Sequence, residues 1–564
     1  MARYYADLTD IEFNLFEFLK IQQHSTYGLD EVDNKGILTE YHKFVVNKVF
    51  PSREPSDLEG VKHIDGKVYA PKCFHEFHQS FYDNGWFSLG LPEEIGGTPV
   101  SVALQTACLS FLIGANCAYG LYPELSRGAL NVIRLKASEE LKNKYIPGMM
   151  GGKWGGTMCL TEAGAGSDVG ALRSTATPNG DGSFNIKGVK IFISGGETDL
   201  YENTIHLVLA RTPEGVEGTK GISLFLVPRA LVNDDGSLGA HNHVDCTKIE
   251  HKMGIHASAT CELTFGGNGD CKGWLVGDEF EGMATMFIMM NEARLTCGVQ
   301  GESQGNLAYE FAKHYAQERV QFKKEIVHHP DVKRMLLKSR AVSRGMRALI
   351  LYTGNLFDHH DEDRIGLLTP ICKSYCTEEG LQVSIEAVQV HGGYGFCQEY
   401  GVEQFVRDSV IGKIYEGTNG IQATDLVMRK IIKDEGKTLK KLLAEISEFA
   451  QGLGPEFAPQ QKTFIHALGT YEKIMVTING YVGEKKYNLI LQNCHDILMM
   501  TSHLVVAWLL GKQATAEVKG NYPAEYLQTK KDDFKLYCLY YLSKNAGLAH
   551  TINANKYDLV DLVI

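Results

Sequence analysis

The chain has 564 residues, 44% apolar and 22% charged, with a formal net charge of −12. It is long enough for a large core and three or more structural units. The acidic balance argues against nucleic acid or an anionic membrane as the main partner, and 13 cysteines without ligand-like spacing point to thiols in a reducing, cytoplasmic compartment and to no metal site.

Residues 1–45 carry no basic region followed by an apolar run, so no secretory signal is expected. Ile11, Phe13, Leu15, Phe16, Phe18 and Leu19 instead predict an amphipathic N-terminal extension that docks on the rest of the chain. Residues 46–155 read as helical. Pro92, Gly96 and Gly97 mark a loop, SVALQTACLSFLIGANCA is apolar nearly all round, and ASEELKNKYIPGMMGG predicts a helix capped at Ser138 and ended at Pro147. Residues 156–280 change to short β-branched runs divided by Gly, Asp and Asn, with a hairpin signal in NGDGS at 179–183. This predicts a small antiparallel β-domain. Residues 281–436 return to long helical patterns and predict an antiparallel bundle. Residues 437–564 form a further helical unit with no arginine, the last being Arg429, so packing or dimerisation is expected of it. Its apolar run at 497–510 is shorter than the roughly 20 residues a membrane span needs, which predicts a buried helix.

Two stretches carry chemistry. In KIYEGTNGIQ at 413–422, Glu416 lies between Tyr415 and Gly417. Apolar neighbours can desolvate a carboxylate and raise its pKa towards that of a general base, although a solvated helix-end glutamate has the same spacing. In MCLTEAGAGSDVGAL at 158–172, Gly164, Gly166 and Ser167 can present N–H groups and a hydroxyl to phosphate oxygens, or be a plain loop. No GxGxxG follows a strand, which argues against a nicotinamide cofactor.

GTMCLTEAGAGSD at 156–168, AVQVHGGYGF at 387–396 and IYEGTNGIQ at 414–422 together resemble the acyl-CoA dehydrogenase family, over about residues 46–436. The resemblance implies an α+β fold: an N-terminal helical domain, a middle antiparallel β-domain and a C-terminal four-helix bundle. The N-terminal extension and the added C-terminal helical domain resemble the family's larger branch. It implies FAD, met by Met158, Leu160 and Thr161, by Gly166 and Ser167 at the pyrophosphate, and by the strand residues Phe192, Ile193 and Ser194. Many relatives carry tryptophan where Phe192 stands, and threonine where Ser194 stands. Arg319, Gln321, Phe322 and His329 fill places that reach the cofactor across a subunit interface, as do Gln389, Gly392 and Gly393; Thr418 and Asn419 would sit over it.

For an acyl-CoA substrate the resemblance assigns Ser167, Asn291, Arg294 and Gly417, and it makes Glu416 the base that removes the Cα proton. Its backbone N–H would also bind the thioester carbonyl. Other branches place the base one residue before the arginine; Ala293 stands there, and Glu292 points elsewhere on the helix. Electrons would pass to an electron-transfer flavoprotein, from a homodimer without a membrane span. The alternatives are an oxidase on the same scaffold, or a flavin-bearing DNA-binding relative. The latter needs a basic C-terminal unit, which an arginine-free, near-neutral segment does not supply.

Overall fold

The β-branched runs fold into one eight-stranded sheet in the computed structural model, which describes residues 4, 6–23, 27–555 and 557–564. The sheet belongs to a unit made of Thr39–Val100 and Ala115–Ala293; a second, helical unit comprises the described residues up to Leu38, Ser101–Gly114 and Arg294–Ile564.

The strand order across the sheet is Val244–Ile249, Thr260–Phe265, Phe184–Ser194, Lys272–Leu275, Ser223–Pro228, Asn203–Ala210 and Trp154–Cys159, with Thr175–Pro178 also on Phe184–Ser194. Asn203–Ala210 and Ser223–Pro228 are buried at every residue. That is why they read as continuous apolar runs rather than as an alternation. One pairing departs from the expected antiparallel sheet: Trp154–Cys159 runs parallel to Asn203–Ala210, with Met158 opposite Leu207. The chain crosses to Phe184–Ser194 and back between them, so it re-enters beside its starting strand in the same direction.

Local signals set the edges of the elements. NGDGS closes the hairpin of Thr175–Pro178 and Phe184–Ser194, with Gly180 and Gly182 left-handed and Asn179 N donating to Ser183 O. Ser138 Oγ accepts from Leu141 N at 3.3 Å, but the helix Glu139–Met150 runs past Pro147 instead of ending there. A proline in the last turn removes one hydrogen bond, and the Gly151 N–H donates to Pro147 O to close the helix. A small hairpin, Lys62–Ile64 with Lys67–Tyr69, lies within the stretch expected to be helical. Its turn is Asp65-Gly66, both left-handed, the dipeptide such a turn demands.

The helix Cys117–Lys136 lies close against Trp154–Cys159 because Gly156 carries no side chain. A Cβ there would fall 2.6 Å from Ala129 Cβ, and Gly156 N donates to Ser126 Oγ at 3.0 Å. Asn116 starts this helix. Its Oδ1 accepts from Tyr119 N at 3.1 Å, and its Nδ2 donates to Ser52 Oγ and Ser56 Oγ at 2.9 and 3.1 Å. Asn116→Ala removes a cap and two buried bonds. It should cost about 2 kcal/mol, read as a lowered midpoint of the first thermal transition.

The helical unit is built on Pro330–Asp358 and Glu362–His391, joined by Lys437–Gln451, Ala458–Gly483, Cys494–Ala514, Ala524–Tyr540 and Asn545–Ala554. Cys494–Ala514 has 21 residues, longer than its apolar run, and is by length and composition able to cross a membrane; 83% of its apolar window is buried inside the protein, as in a core helix. The N-terminal extension docks here. Ile11, Phe13, Leu15 and Phe16 are buried, and Asp10 enters a buried ionic cluster. Arg347 Nη1 lies 3.0 Å and Arg344 Nε 3.4 Å from its carboxylate, Lys530 Nζ is bonded to it, and Tyr526 donates to it at 3.0 Å. Arg344 and Arg340 also hold Asp533, and Arg347 holds Glu302. Three cations hold the Asp10 carboxyl well below the usual carboxylate range despite its burial.

Candidate active site

Glu416 follows the helix Glu403–Val410 and the turn Ile411–Lys413, and precedes the helix Asn419–Thr424. Thr418 caps that helix, its Oγ1 accepting from Ile421 N at 3.2 Å. Glu416 and Gly417 are both left-handed, at φ 57° and 81°. For a glutamate that conformation is strained and persists only where its surroundings over-determine it. Gln422 Nε2 supplies part of the constraint, donating to Glu416 O at 3.2 Å. Gly417 favours glycine because side chains rarely adopt its φ of 81°, and a Cβ there would also crowd the same amide at 2.9 Å. Next to Glu416, the Tyr415 hydroxyl donates to Gln300 Oε1, and Gln300 Nε2 donates to Asp408 O at 3.1 Å.

The turn places Glu416 half-buried, with Oε2 fully enclosed and without a hydrogen-bond partner among the described residues. Burial pushes its carboxyl up to about 7, against the opposing pull of Arg294 and Lys373. Such a carboxyl can take a proton near neutral pH, and its free lone pair is available to do so. Arg294 is buried in the same unit, 3.9 Å from Asp425. Glu292 is engaged elsewhere: its carboxylate accepts from Asn131 Nδ2 at 2.9 and 3.1 Å within the sheet-bearing unit. Asn291 is exposed.

In the sheet-bearing unit, Met158 and Thr161 are half-buried and Leu160 is buried. The following loop is pinched by reciprocal backbone bonds between Glu162 and Ala165, which leaves Gly164, Gly166 and Ser167 exposed. Open space surrounds Gly164 and Gly166, as a phosphate-approaching loop requires. Glu162 holds the loop's far side, accepting from Arg173 N, Ser174 N, Ser174 Oγ and the fully buried Lys190 Nζ at 2.6–3.0 Å. Glu162 lies inside the TEAGAGSD string, but no local pattern links it to Lys190, 28 positions on. Phe192 is left-handed at φ 59° and 59% exposed, an aromatic face turned outward from the strand. Ile193 departs from the expectation of a cofactor contact: alternation turns its side chain into the core, 2% exposed, leaving only its backbone available. Ser194 is half-buried.

A third group lies in the helical unit. Val320–Gln321 and Lys324–Glu325 form a tight hairpin with left-handed Phe322 and Lys323 at its tip. Phe322 is 89% exposed, its ring 5.8 Å from that of His329, whose Nε2 lies 3.1 Å from Gln321 O. A cavity of about 420 Å³ brings together Arg319, Gln321, His391, Gly392, Gly393 and Tyr394. Gln389 is exposed. His391, which had no role from sequence, stacks on Tyr315 at 4.3 Å, and Arg319 lies over the Tyr394 ring at 5.4 Å. Asn419 is the other departure. It is buried, and its amide is taken up by Lys373, Thr377 and Glu378, so its side chain serves the interior.

Family models match almost the whole chain: acyl-CoA dehydrogenase N-terminal domain at 35–153, middle domain at 157–267 and C-terminal domain at 281–431, and acetyl-CoA dehydrogenase C-terminal like at 442–563. The chain is 36% identical to 3-methylmercaptopropionyl-CoA dehydrogenase of Ruegeria pomeroyi, covering 93% of this chain and 94% of that protein. It is 35% identical to the broad-specificity linear acyl-CoA dehydrogenase FadE5 of Mycobacterium tuberculosis, covering 92% and 91%. Among solved structures, Caenorhabditis elegans ACDH-11 in complex with C11-CoA superposes with a TM-score of 0.77 at 17% identity, covering 95% and 94%, a likeness of fold. Fold and sequence together define an oxidoreductase of acyl-CoA thioesters. The chain belongs to the acyl-CoA dehydrogenase family, in the form that carries an additional C-terminal helical domain.

Proposed function

We propose that the protein converts an acyl-CoA to the 2-enoyl-CoA with FAD as acceptor, and that Glu416 is the base. The observation that carries this is the enclosed, unpartnered Oε2 of a glutamate held in a strained turn. The residues fit a flavin dinucleotide. The pinched glycine loop at 164–167 can take the pyrophosphate and Phe192 offers an aromatic face, while Arg319, Gln321, Gly392 and Gly393 line a cavity able to take the adenosine end of a second copy's dinucleotide. Bound FAD would supply the hydride acceptor for the Cβ hydrogen. Glu416 takes the Cα proton onto its carboxylate and releases it to solvent after the product leaves. Arg294, Asn291, Ser167 and Gly417 orient the CoA ester, and Thr418 holds the turn through its cap. Electrons then leave to an electron-transfer flavoprotein; the relatives' names, dehydrogenases throughout, favour this over an oxidase.

The exposed Phe322, and Phe396 at 86% exposure, would be covered by a second copy of the chain, giving a homodimer. All 13 cysteines are free, consistent with a cytoplasmic enzyme of acyl-CoA catabolism. The test is anaerobic mixing of the yellow holoenzyme with a panel of acyl-CoAs. At least one should bleach the flavin and yield its 2-enoyl-CoA, with a rate that rises as pH passes through about 7 and Glu416 ionises. A colourless protein, or a flavin that no acyl-CoA bleaches, would overturn the proposal.

A further inference from the structure

Lys373 lies on the helix Glu362–His391, and its side chain is wholly shielded from solvent. Its ammonium makes one hydrogen bond, to Asn419 Oδ1 at 2.8 Å, and no ion pair among the described residues. A buried ammonium without a contacting carboxylate costs several kcal/mol, so its retention calls for a charge in its field. Glu416 and Glu378 are the carboxylates that act on it most. Glu378, on the same helix, is taken by Lys413 and by Asn419 Nδ2. Asp425 is shared between Arg294 and Arg429, at 3.9 and 3.5 Å. The carboxylate left over is Glu416, whose Oε2 has no partner. From the helix Gly282–Glu318, Arg294 and the buried Cys297 face the same space; Tyr415 is bonded to Gln300. Asn419 cannot rotate to release the lysine, because its Nδ2 is held by Glu378 Oε1 at 2.9 Å and Thr377 Oγ1 at 3.1 Å.

We propose that Lys373 is a positioning residue for the base: its buried charge favours the ionised form of Glu416, while its bond to Asn419 steadies the turn that aims it. This rests on Glu416 being the base. The electrostatics agree in direction. Burial alone raises the Glu416 carboxyl, and the cations Arg294 and Lys373 pull it back to about 7. Burial lowers Lys373 to about 8. Below about pH 7 Glu416 is protonated, and Lys373 still carries its charge through that transition, so the lysine acts on the acid limb of the profile.

The test is the pH profile of flavin reduction in Lys373→Met, Asn419→Ala and Glu416→Gln. Methionine is a neutral near-isostere; it relieves the cost of burying the charge but leaves Asn419 Oδ1 with Thr377 Oγ1 at 3.3 Å, so FAD content should hold and the thermal midpoint should shift little. The acid limb in Lys373→Met should move up by about one pH unit, a roughly 5-fold loss of rate at pH 7. Asn419→Ala keeps the lysine charge and should lower the rate with the limb unmoved. A Lys373→Met profile that superimposes on the wild type would overturn the proposal; so would a lowered midpoint with an unmoved limb, the sign of a merely structural lysine. Glu416→Gln separates the two levels. If it still bleaches, the base assignment fails; if it is inert while the Lys373→Met limb stays put, only the role of Lys373 fails.

Discussion

Glu416→Gln should bind FAD and acyl-CoA as the wild type does and leave the flavin oxidised, with a loss in reduction rate of about 10⁴-fold, the upper end of what one general base contributes. The variant should fold. Oε2 has no hydrogen-bond partner to lose, and the turn is held through the backbone carbonyl of residue 416, which Gln422 Nε2 reaches, and through the Thr418 cap. Glutamine keeps the shape and cannot accept a carbon-bound proton. The loss should therefore fall on the rate of bleaching after mixing and leave the affinity for acyl-CoA close to wild type.

Asp10→Ala should be the most damaging single change to stability, about 3–5 kcal/mol. It leaves the charge on Lys530, which is buried and keeps, among the described residues, only Gln513 Oε1 at 3.0 Å as acceptor, and it strips one carboxylate from both Arg344 and Arg347. Those cations sit on the helices Pro330–Asp358 and Ala524–Tyr540, so the loss should release the N-terminal extension. Faster proteolysis near its start, with a lowered thermal midpoint, reads this out. The pH dependence has a defined sign. A carboxyl held far below its unfolded value contributes fully above about pH 4–5 and loses its contribution only as strong acid protonates it. The wild type should therefore hold its midpoint from neutral pH down to about 5.

What was legible in the sequence was mostly what is local. The Ser138 cap, the NGDGS hairpin and the strings around Gly166 and Glu416 carry their geometry within ten residues. The parallel pairing of Trp154–Cys159 with Asn203–Ala210 depends on the chain path between them, which no local pattern encodes. Pro147 reads as a stop, yet a last-turn proline removes little and the helix continues to Met150; Asp65-Gly66 turns a hairpin too short to break the helical pattern around it. The buried charges were hidden for a different reason. Lys373 stands in the apolar run TPICKSYC, where a lone lysine reads as a solvated tip, and its partner Asn419 is 46 positions away. Asp10 and Lys530 are 520 positions apart. Ile193 and Asn419 belong to strings that match the family, but strand alternation and a buried amide network decide which of their atoms can face a ligand.

The central claim is that Glu416 moves the proton at Cα. The most direct measurement is deuterium uptake: the holoenzyme is held anaerobically in D₂O with the acyl-CoA that bleaches it fastest, and the recovered ester is weighed by mass spectrometry. The wild type should place deuterium at Cα, and Glu416→Gln, with its full FAD content, should place none. Label entering Cα at the wild-type rate in that variant would contradict the account.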